Sequence, residues 1–413
     1  MTKVSMKHLY VLLLFVFLFN TIFLPNDTFM MKKISLFVLL LLILLDTKEV
    51  IGYDEKCVFL LGLIVTLCII LQSIAITGDI TENIKLGYPG VILLLYFPVK
   101  KYHINLKKLI YILLMELAWY ISICGILDRL NIVSVNENRL LLWLFYSDNA
   151  LIGKGSHVPF GVCIFLKAST MLLLALAMAF EERRFFDAIV ILAALILSGT
   201  RANVFTAIAV FAVFVIMSSR NRSNRIAITT IISGLFLAVV IKFNIPAKLQ
   251  RIAEVKQVSD DYRSHSLNSI FRYWSEQPIR LITGSGFSGK YFDSGRNDFI
   301  SDVELSYWNL MRQLGFIMFV LVMIMILLPL FQLVKRRVGK HMILSYIGYL
   351  VIAYTNPLLY SSTGITVVLF MYYYTFILHK REVFTNPEHK RRDTSKALTA
   401  ITTSNVLFEG QKK

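Results

Sequence analysis

Apolar runs long enough to cross a bilayer recur from one end of this chain to the other. They limit what it can fold into more than any other feature. "HLYVLLLFVFLFNTIFLP" at 8–25, "VFLLGLIVTLCIILQSIAIT" at 58–77 and "GFIMFVLVMIMILLPLF" at 315–331 are three of them. A helix needs about 20 mostly apolar residues to span a hydrocarbon layer of roughly 30 Å. Inside that layer only helices and closed barrels satisfy every backbone group. The runs are continuous rather than alternating, so the expected class is an all-α integral membrane protein. Composition agrees: 56% of the 413 residues are hydrophobic and the mean hydropathy is +0.66, too apolar for a water-soluble chain of this size.

About 12 transmembrane helices are expected, at 8–25, 34–51, 57–77, 84–99, 109–127, 158–180, 185–199, 201–217, 226–243, 306–331, 342–359 and 363–379. With the N-terminus placed in the cytoplasm, most of the 43 basic residues fall in cytoplasmic segments. These include "KKYHINLKK" at 100–108, "SSRNRSNR" at 218–225 and "KRRVGK" at 335–340. That is the positive-inside pattern, and it places both termini inside. The organisation expected is 1–243 with nine spans, 244–305 as one large extracytoplasmic loop, 306–379 with three spans, and 380–413 as a basic cytoplasmic tail. The 128–157 connection is the second sizeable outer segment.

The same placement accounts for the +17 net charge. The excess sits in cytoplasmic loops and the tail, where it sets topology and attracts anionic lipid, so nucleic acid is not an expected partner. Cys57, Cys68, Cys124 and Cys163 lie in or at the edges of spans, without metal-ligand spacing or a loop partner. No metal site and no cofactor follow from them. Glu116 and Lys167 fall inside expected spans at depths within about 5 Å of each other at 1.5 Å per residue. Intramembrane charges are usually paired or functional, so a Glu116–Lys167 ion pair is expected.

The turn "SGTR" ends on Arg201, with no acidic residue within ten positions on either side. In this topology Arg201 lies at the outer ends of two spans. It is either an arginine snorkelling to the interface or an anion clamp, since its planar fork matches phosphate oxygens bidentately. The large outer loop adds Arg263, Arg272 and Arg280, then Gly284, Gly286 and Gly289. Glycines at that density permit close backbone approach and positive φ. The loop also holds Ile270, Phe271, Trp274, Leu281 and Ile282, too many apolar anchors for a merely disordered segment. Next comes "SDVELSYWNLMRQLGF". Read as a helix, Asp302, Ser306, Asn309 and Gln313 form one polar stripe entering a span. Such a stripe should face a cavity or other helices rather than lipid. Glu304 points to nearly the opposite side.

In their order, these residues resemble the O-antigen polymerase and O-antigen ligase superfamily, the Wzy-type polysaccharide polymerases. The matching positions are "SGTR" with Arg201, Arg263 upstream of Pro278, "GSG" at Gly284–Gly286, and Asp302 or Glu304 ahead of Gly315. The detailed likeness covers roughly 185–330. The ligases carry a histidine where this chain has Asp302 or Glu304, which favours the polymerase.

The resemblance implies a metal-independent membrane glycosyltransferase of the bacterial cytoplasmic membrane. It would join polyprenyl-pyrophosphate-linked repeat units of an O-antigen, capsule or exopolysaccharide on the outer face. Arg201 and Arg263, with Gly284 and Gly286, would bind the substrate and stabilise the leaving pyrophosphate. Asp302 or Glu304 would be the catalytic base: the helical stripe favours Asp302, and the register counted back from Gly315 favours Glu304. The expected partners are the lipid-linked donor and acceptor glycans, membrane lipids and a chain-length regulator. The rival readings are a lipid-linked sugar flippase or other transporter, and an O-antigen ligase.

Overall fold

The computed structural model describes residues 3–27, 29–46, 52–154, 162–218 and 245–378. The chain starts as a helical hairpin of α1 (Lys3–Phe23) and α2 (Met31–Asp46). Asp27 sits in their turn at φ 57°. Its carboxylate accepts the amides of Lys32 at 2.8 Å and Lys33 at 3.3 Å, satisfying donors that the start of α2 leaves open. α3 (Tyr53–Thr77) follows and includes a π-helical turn at Leu60–Val65. It stops at Gly78, which adopts a left-handed conformation at φ 74°. Asp79 then caps the short α4 (Ile80–Gly87). A 3-10 stretch at Tyr88–Leu95 leads into α5 (Tyr96–Lys101).

The middle of the chain holds α6 (Leu106–Arg129), α7 (Arg139–Tyr146) and the antiparallel pair β1 (Ala150–Lys154) and β2 (Val162–Leu166). A 3-10 turn at Lys167–Met171 precedes α8 (Leu172–Glu181), α9 (Phe185–Leu197) and α10 (Arg201–Ser218). The last part is α11 (Ile245–Glu276), α12 (Ile279–Thr283), the hairpin β3 (Tyr291–Asp293) and β4 (Asp298–Ile300), then α13 (Ser306–Arg336), α14 (Lys340–Tyr354) and α15 (Ser362–Tyr373).

Among the described residues, five helices are long and apolar enough to cross a membrane: Ser5–Phe23, Tyr53–Thr77, Leu106–Arg129, Arg201–Ser218 and Ser306–Arg336. Phe185–Leu197 and Ser362–Leu378 are shorter apolar helices. The protein is mostly helical and has the helices of a multi-pass membrane protein. Several of the twelve expected spans take another form. The run at 84–99 is broken because Pro89 has no N–H to donate and the chain tightens to 3-10 there. The described part of the run at 158–180 is β2 from Val162, pinned to β1, and becomes α-helical only from Leu172. α14 ends at Tyr354, ahead of Asn356–Pro357, where a proline disfavours helix in the residue before it. The expected span at 226–243 lies outside the described residues.

Within the expected outer loop at 244–305, the described side chains build a small core of their own. Ile270 and Trp274 of α11 are buried against Tyr291, Val303 and Leu305, with Trp308 of α13 packed on them. Phe271 is half exposed, but its ring meets those of Trp274 and Trp308. Leu281 and Ile282 remain exposed.

Helix α2 carries Lys32 at one end and Asp46 at the other, and the two ends gather different partners. Around Asp46 lie Lys101 at 3.1 Å and the Tyr102 hydroxyl at 2.7 Å. In the neighbouring segments Lys100 pairs with Asp54 at 2.7 Å and Lys107 with Glu182 at 2.9 Å. At the opposite end the Asp27 turn meets α4, the segment before α13 and the start of α15.

Lys167 belongs to this second end. It donates to Asn26 at 2.8 Å and to Asp148 at 3.3 Å. Glu116 is exposed on the side of α6. The expected Glu116–Lys167 pair is therefore not formed, because strand β2 in place of a helix lifts Lys167 to the end of the bundle.

Candidate functional site

The first turns of α13 carry Ser306, Asn309 and Gln313 of the polar stripe, while Asp302 lies in the non-helical segment before Ser306 rather than on the helix expected from 302 onward. The depth of the stripe is set by a break in α13. Gly315 has φ 73° and ψ 166°, outside the helical region. Its neighbour across the break is Gly284, whose φ is also 73°. A Cβ on Gly284 would sit 2.3 Å from the Gln313 carbonyl oxygen, and one on Gly315 would sit 2.1 Å from that of Ile282. Only glycine fits on both sides of this contact.

The carbonyls freed by the break all find donors. The Ser285 amide donates to Arg312 O and the Gly286 amide to Gln313 O, each at 2.9 Å. The Gln72 side-chain amide donates to Leu314 O at 3.0 Å and also to Thr283 O. Irregular backbone is tolerated at such a place when protein satisfies it in this way.

Arg312, the largest fully buried side chain among the described residues, ties the loop to the helix. Its guanidinium donates to Ser285 Oγ at 2.8 Å, Gly289 O at 3.0 Å, Ser301 O at 2.6 Å and Asn309 Oδ1 at 3.0 Å. Its planar face lies 4.5 Å from the centre of the Tyr291 ring. Sequence reasoning passed over this residue. The available signal was an arginine two turns into an apolar helix, where an unmatched charge is rare.

Above the break lies a cavity of about 630 Å³. The expected stripe lines it in full: Asp302, Ser306, Asn309 and Gln313 all face it. The Asn309 side chain donates to Asp302 Oδ1 at 2.5 Å. Gln313 donates to Ser301 O at 2.9 Å, and Ser306 Oγ bonds the Asn356 carbonyl. The other walls come from the α1–α2 turn with Lys32 and Lys33, from α4 with Glu82 and Lys85, and from Tyr360 and Ser362 at the start of α15. Phe287 stacks on Tyr360 at 5.7 Å between centroids and forms part of the lining.

Asp302 is exposed by surface area and faces a half-open cavity, while protein atoms crowd its carboxyl from the other sides. Burial therefore raises its carboxyl above the usual range. Arg312, the Val303 amide, Arg296 and Asn309 pull in the opposite direction without cancelling it.

The other expected site residues are placed as follows. Glu304 does not line the cavity; its carboxylate meets Arg263 at 3.1 Å, both side chains partly exposed. Gly284 and Gly286 are buried against helix backbone and do not line the cavity either. Arg201 opens α10 just after the turn at Ser198, whose carbonyl accepts Cys163 Sγ of β2 at 3.1 Å. Among the described residues it has no ion pair and is not part of the cavity wall. Asp302 is thus brought to the cavity, Arg263 and Glu304 are brought to each other, and Arg201 stands apart. No family model, curated protein or solved structure matches this chain.

Proposed function

We propose that this chain is a polysaccharide polymerase, joining oligosaccharide repeat units carried on a polyprenyl pyrophosphate at the outer face of a bacterial cytoplasmic membrane. One observation carries the reading: a carboxyl group with a raised pKa, Asp302, lines a cavity with Ser306, Asn309 and Gln313 at one end of an apolar helix bundle. A raised carboxylate in a polar cavity is what a general base for a sugar hydroxyl requires. A volume of about 630 Å³ also falls in the ordinary range of ligand sites, roughly 300–1,000 Å³.

In the reaction, ionised Asp302 takes the proton from an acceptor sugar hydroxyl. The freed oxygen bonds to the anomeric carbon of the donor while the bond from that carbon to the pyrophosphate oxygen breaks. The electron pair leaves with the pyrophosphate, and cations must meet the charge that grows there. The resemblance assigns that role to Arg201 and Arg263, but neither lines the Asp302 cavity, so the assignment requires a rearrangement that carries an arginine to it. Arg263 first has to release Glu304, a partly exposed ion pair worth roughly 0.2–1 kcal/mol. That is less than the gain from a bidentate guanidinium–phosphate contact. Glu304, outside the cavity, holds Arg263 at rest, and Asp302 is the base.

The test is reconstitution of the purified protein with a lipid-linked repeat unit. A ladder of lengthened glycans on the lipid is expected. Movement of the lipid-linked sugar across the bilayer without lengthening would replace the polymerase with a flippase.

A further inference from the structure

We infer that the cavity wall formed by the α1–α2 turn and the start of α15 is a binding site for a phosphate-class anion, built on Lys32 with Lys33 and Lys85 beside it. Lys32 is 2% exposed, and its ammonium has three N–H donors. One reaches the Pro25 carbonyl and one the Ser362 hydroxyl, the latter at 3.1 Å. Both acceptors are neutral, and the third donor is unfilled among the described residues. The adjacent carboxylate, Asp27, is occupied in capping α2, accepting the Lys32 and Lys33 amides. Asp27 stabilises the ammonium through space, but no carboxylate hydrogen-bonds it among the described residues, and a buried ammonium short of direct partners is costly. This one lines the cavity, as do Asp27, Glu82 and Asp302.

The surroundings favour an anion as the missing partner. α15 begins at this wall, so the positive end of its backbone dipole faces it, while the start of α2 is already met by Asp27. Lys33 also lines the cavity and has no ion pair among the described residues. Lys85 is matched only by the exposed pair with Glu82 at 3.1 Å. Phosphate oxygens, which accept several charge-assisted hydrogen bonds at once, fit a cluster of ammonium donors. The two sources of such an anion are the pyrophosphate of a lipid carrier and the headgroup of an anionic phospholipid. The first rests on the polymerase reading and would place the leaving group in the same cavity as Asp302; the second does not.

Calorimetry on the purified full-length protein in neutral detergent tests the site, with farnesyl pyrophosphate as the probe and farnesol as the uncharged control. The pyrophosphate is expected to bind and farnesol not to displace it. Lys32→Met should weaken binding about tenfold, the loss of one charge-assisted hydrogen bond. Lys33→Gln combined with Lys85→Gln, both on more exposed side chains, should weaken it about threefold and flatten its dependence on salt. This double variant carries the test if Lys32→Met lowers folded yield. Displacement by inorganic pyrophosphate assigns the site to the carrier. Displacement by phosphatidylglycerol alone assigns it to a phospholipid headgroup, and the anion site stands in either case. Unchanged affinity in the lysine variants overturns the site. Asp302→Asn separates the two proposals, since it should keep binding while abolishing lengthening. Lengthening that survives Asp302→Asn, with binding still lost in the lysine variants, would remove the polymerase base and leave the anion site.

Discussion

Asn309 donates a hydrogen bond to Asp302 at 2.5 Å, joining the first turns of α13 to the extended segment before it and aiming the carboxylate into the cavity. The bond favours the charged carboxylate, against the burial that disfavours it. A base works only when ionised. With its folded pKa raised, Asp302 holds its proton to higher pH than an ordinary carboxyl near 3.9. Polymer formation should therefore fall as pH drops through that raised value, and the acid limb of kcat/KM should lie above the ordinary carboxylate range. Asn309→Leu removes a bond to the charged form, so the limb should move further up. Asp302→Asn should lose nearly all polymer at normal protein level, and full polymer from that variant would end its role as base.

The Arg263–Glu304 pair predicts unequal effects for two carboxylates two positions apart in sequence, Asp302 on the cavity wall and Glu304 outside it. Glu304→Gln breaks only a partly exposed contact, so stability should change by roughly 0.2–1 kcal/mol and polymer should persist. Arg263→Lys and Arg201→Lys both lose the planar fork, and each should lose most of its polymer with folding intact. Glycan ladders from membranes with matched protein levels distinguish these outcomes. Full polymer from both arginine variants would remove the arginine clamp.

Arg312→Met should be the most damaging single change near the site. It removes the donor to Ser285 Oγ, Gly289 O and Asn309 Oδ1, at roughly 1–3 kcal/mol for each buried acceptor left unpaired, while Ser301 O keeps its bond from Gln313. Folded yield in detergent, read by size-exclusion profile and melting temperature, should collapse. Arg312→Lys keeps the charge but not the fork and should be intermediate. A normal melting temperature for Arg312→Met would show that the loop holds without it.

Lys167 gives a contrast with Glu116. Lys167→Met removes donors to Asn26 and Asp148, which join the α1–α2 turn to the end of α7, and should lower the melting temperature. Glu116→Gln, on the exposed side of α6, should leave it unchanged. Equal losses from the two changes would restore the pairing expected from depth alone.

Ser306, Asn309 and Gln313 were legible because their spacing is that of one helix face within a single segment. The apolar runs at 57–77, 109–127, 201–217 and 306–331 were legible for the same reason. Asp302 reaches the cavity from the non-helical segment before α13, which helical period does not predict. The run at 158–180 was misread because apolar content does not separate a buried strand from a helix: β2 owes its form to β1, which lies before it in the chain. The basic wall of the cavity was not legible either. Lys32, Lys85 and Ser362 meet only through packing of segments far apart in sequence, and local pattern carries nothing of that kind. Arg263 with Glu304 was hidden likewise, since a pairing across the turn between α11 and α13 has no local signature.

The break at Gly315 bears on how the protein is made. The α13 carbonyls at Arg312, Gln313 and Leu314 are satisfied by Ser285, Gly286 and Gln72, none of which belongs to α13. Until those donors arrive, this helix carries bare carbonyls next to an apolar stretch that must enter lipid, where each would cost several kcal/mol, roughly. Ser285 and Gly286 emerge from the ribosome shortly before α13 and Gln72 long before it, so chain order supplies the donors first. Insertion of α13 and assembly of the cavity above it are then a single biogenesis step, and a variant that cannot close the glycine contact should be cleared by membrane proteolysis before its chemistry is ever tried.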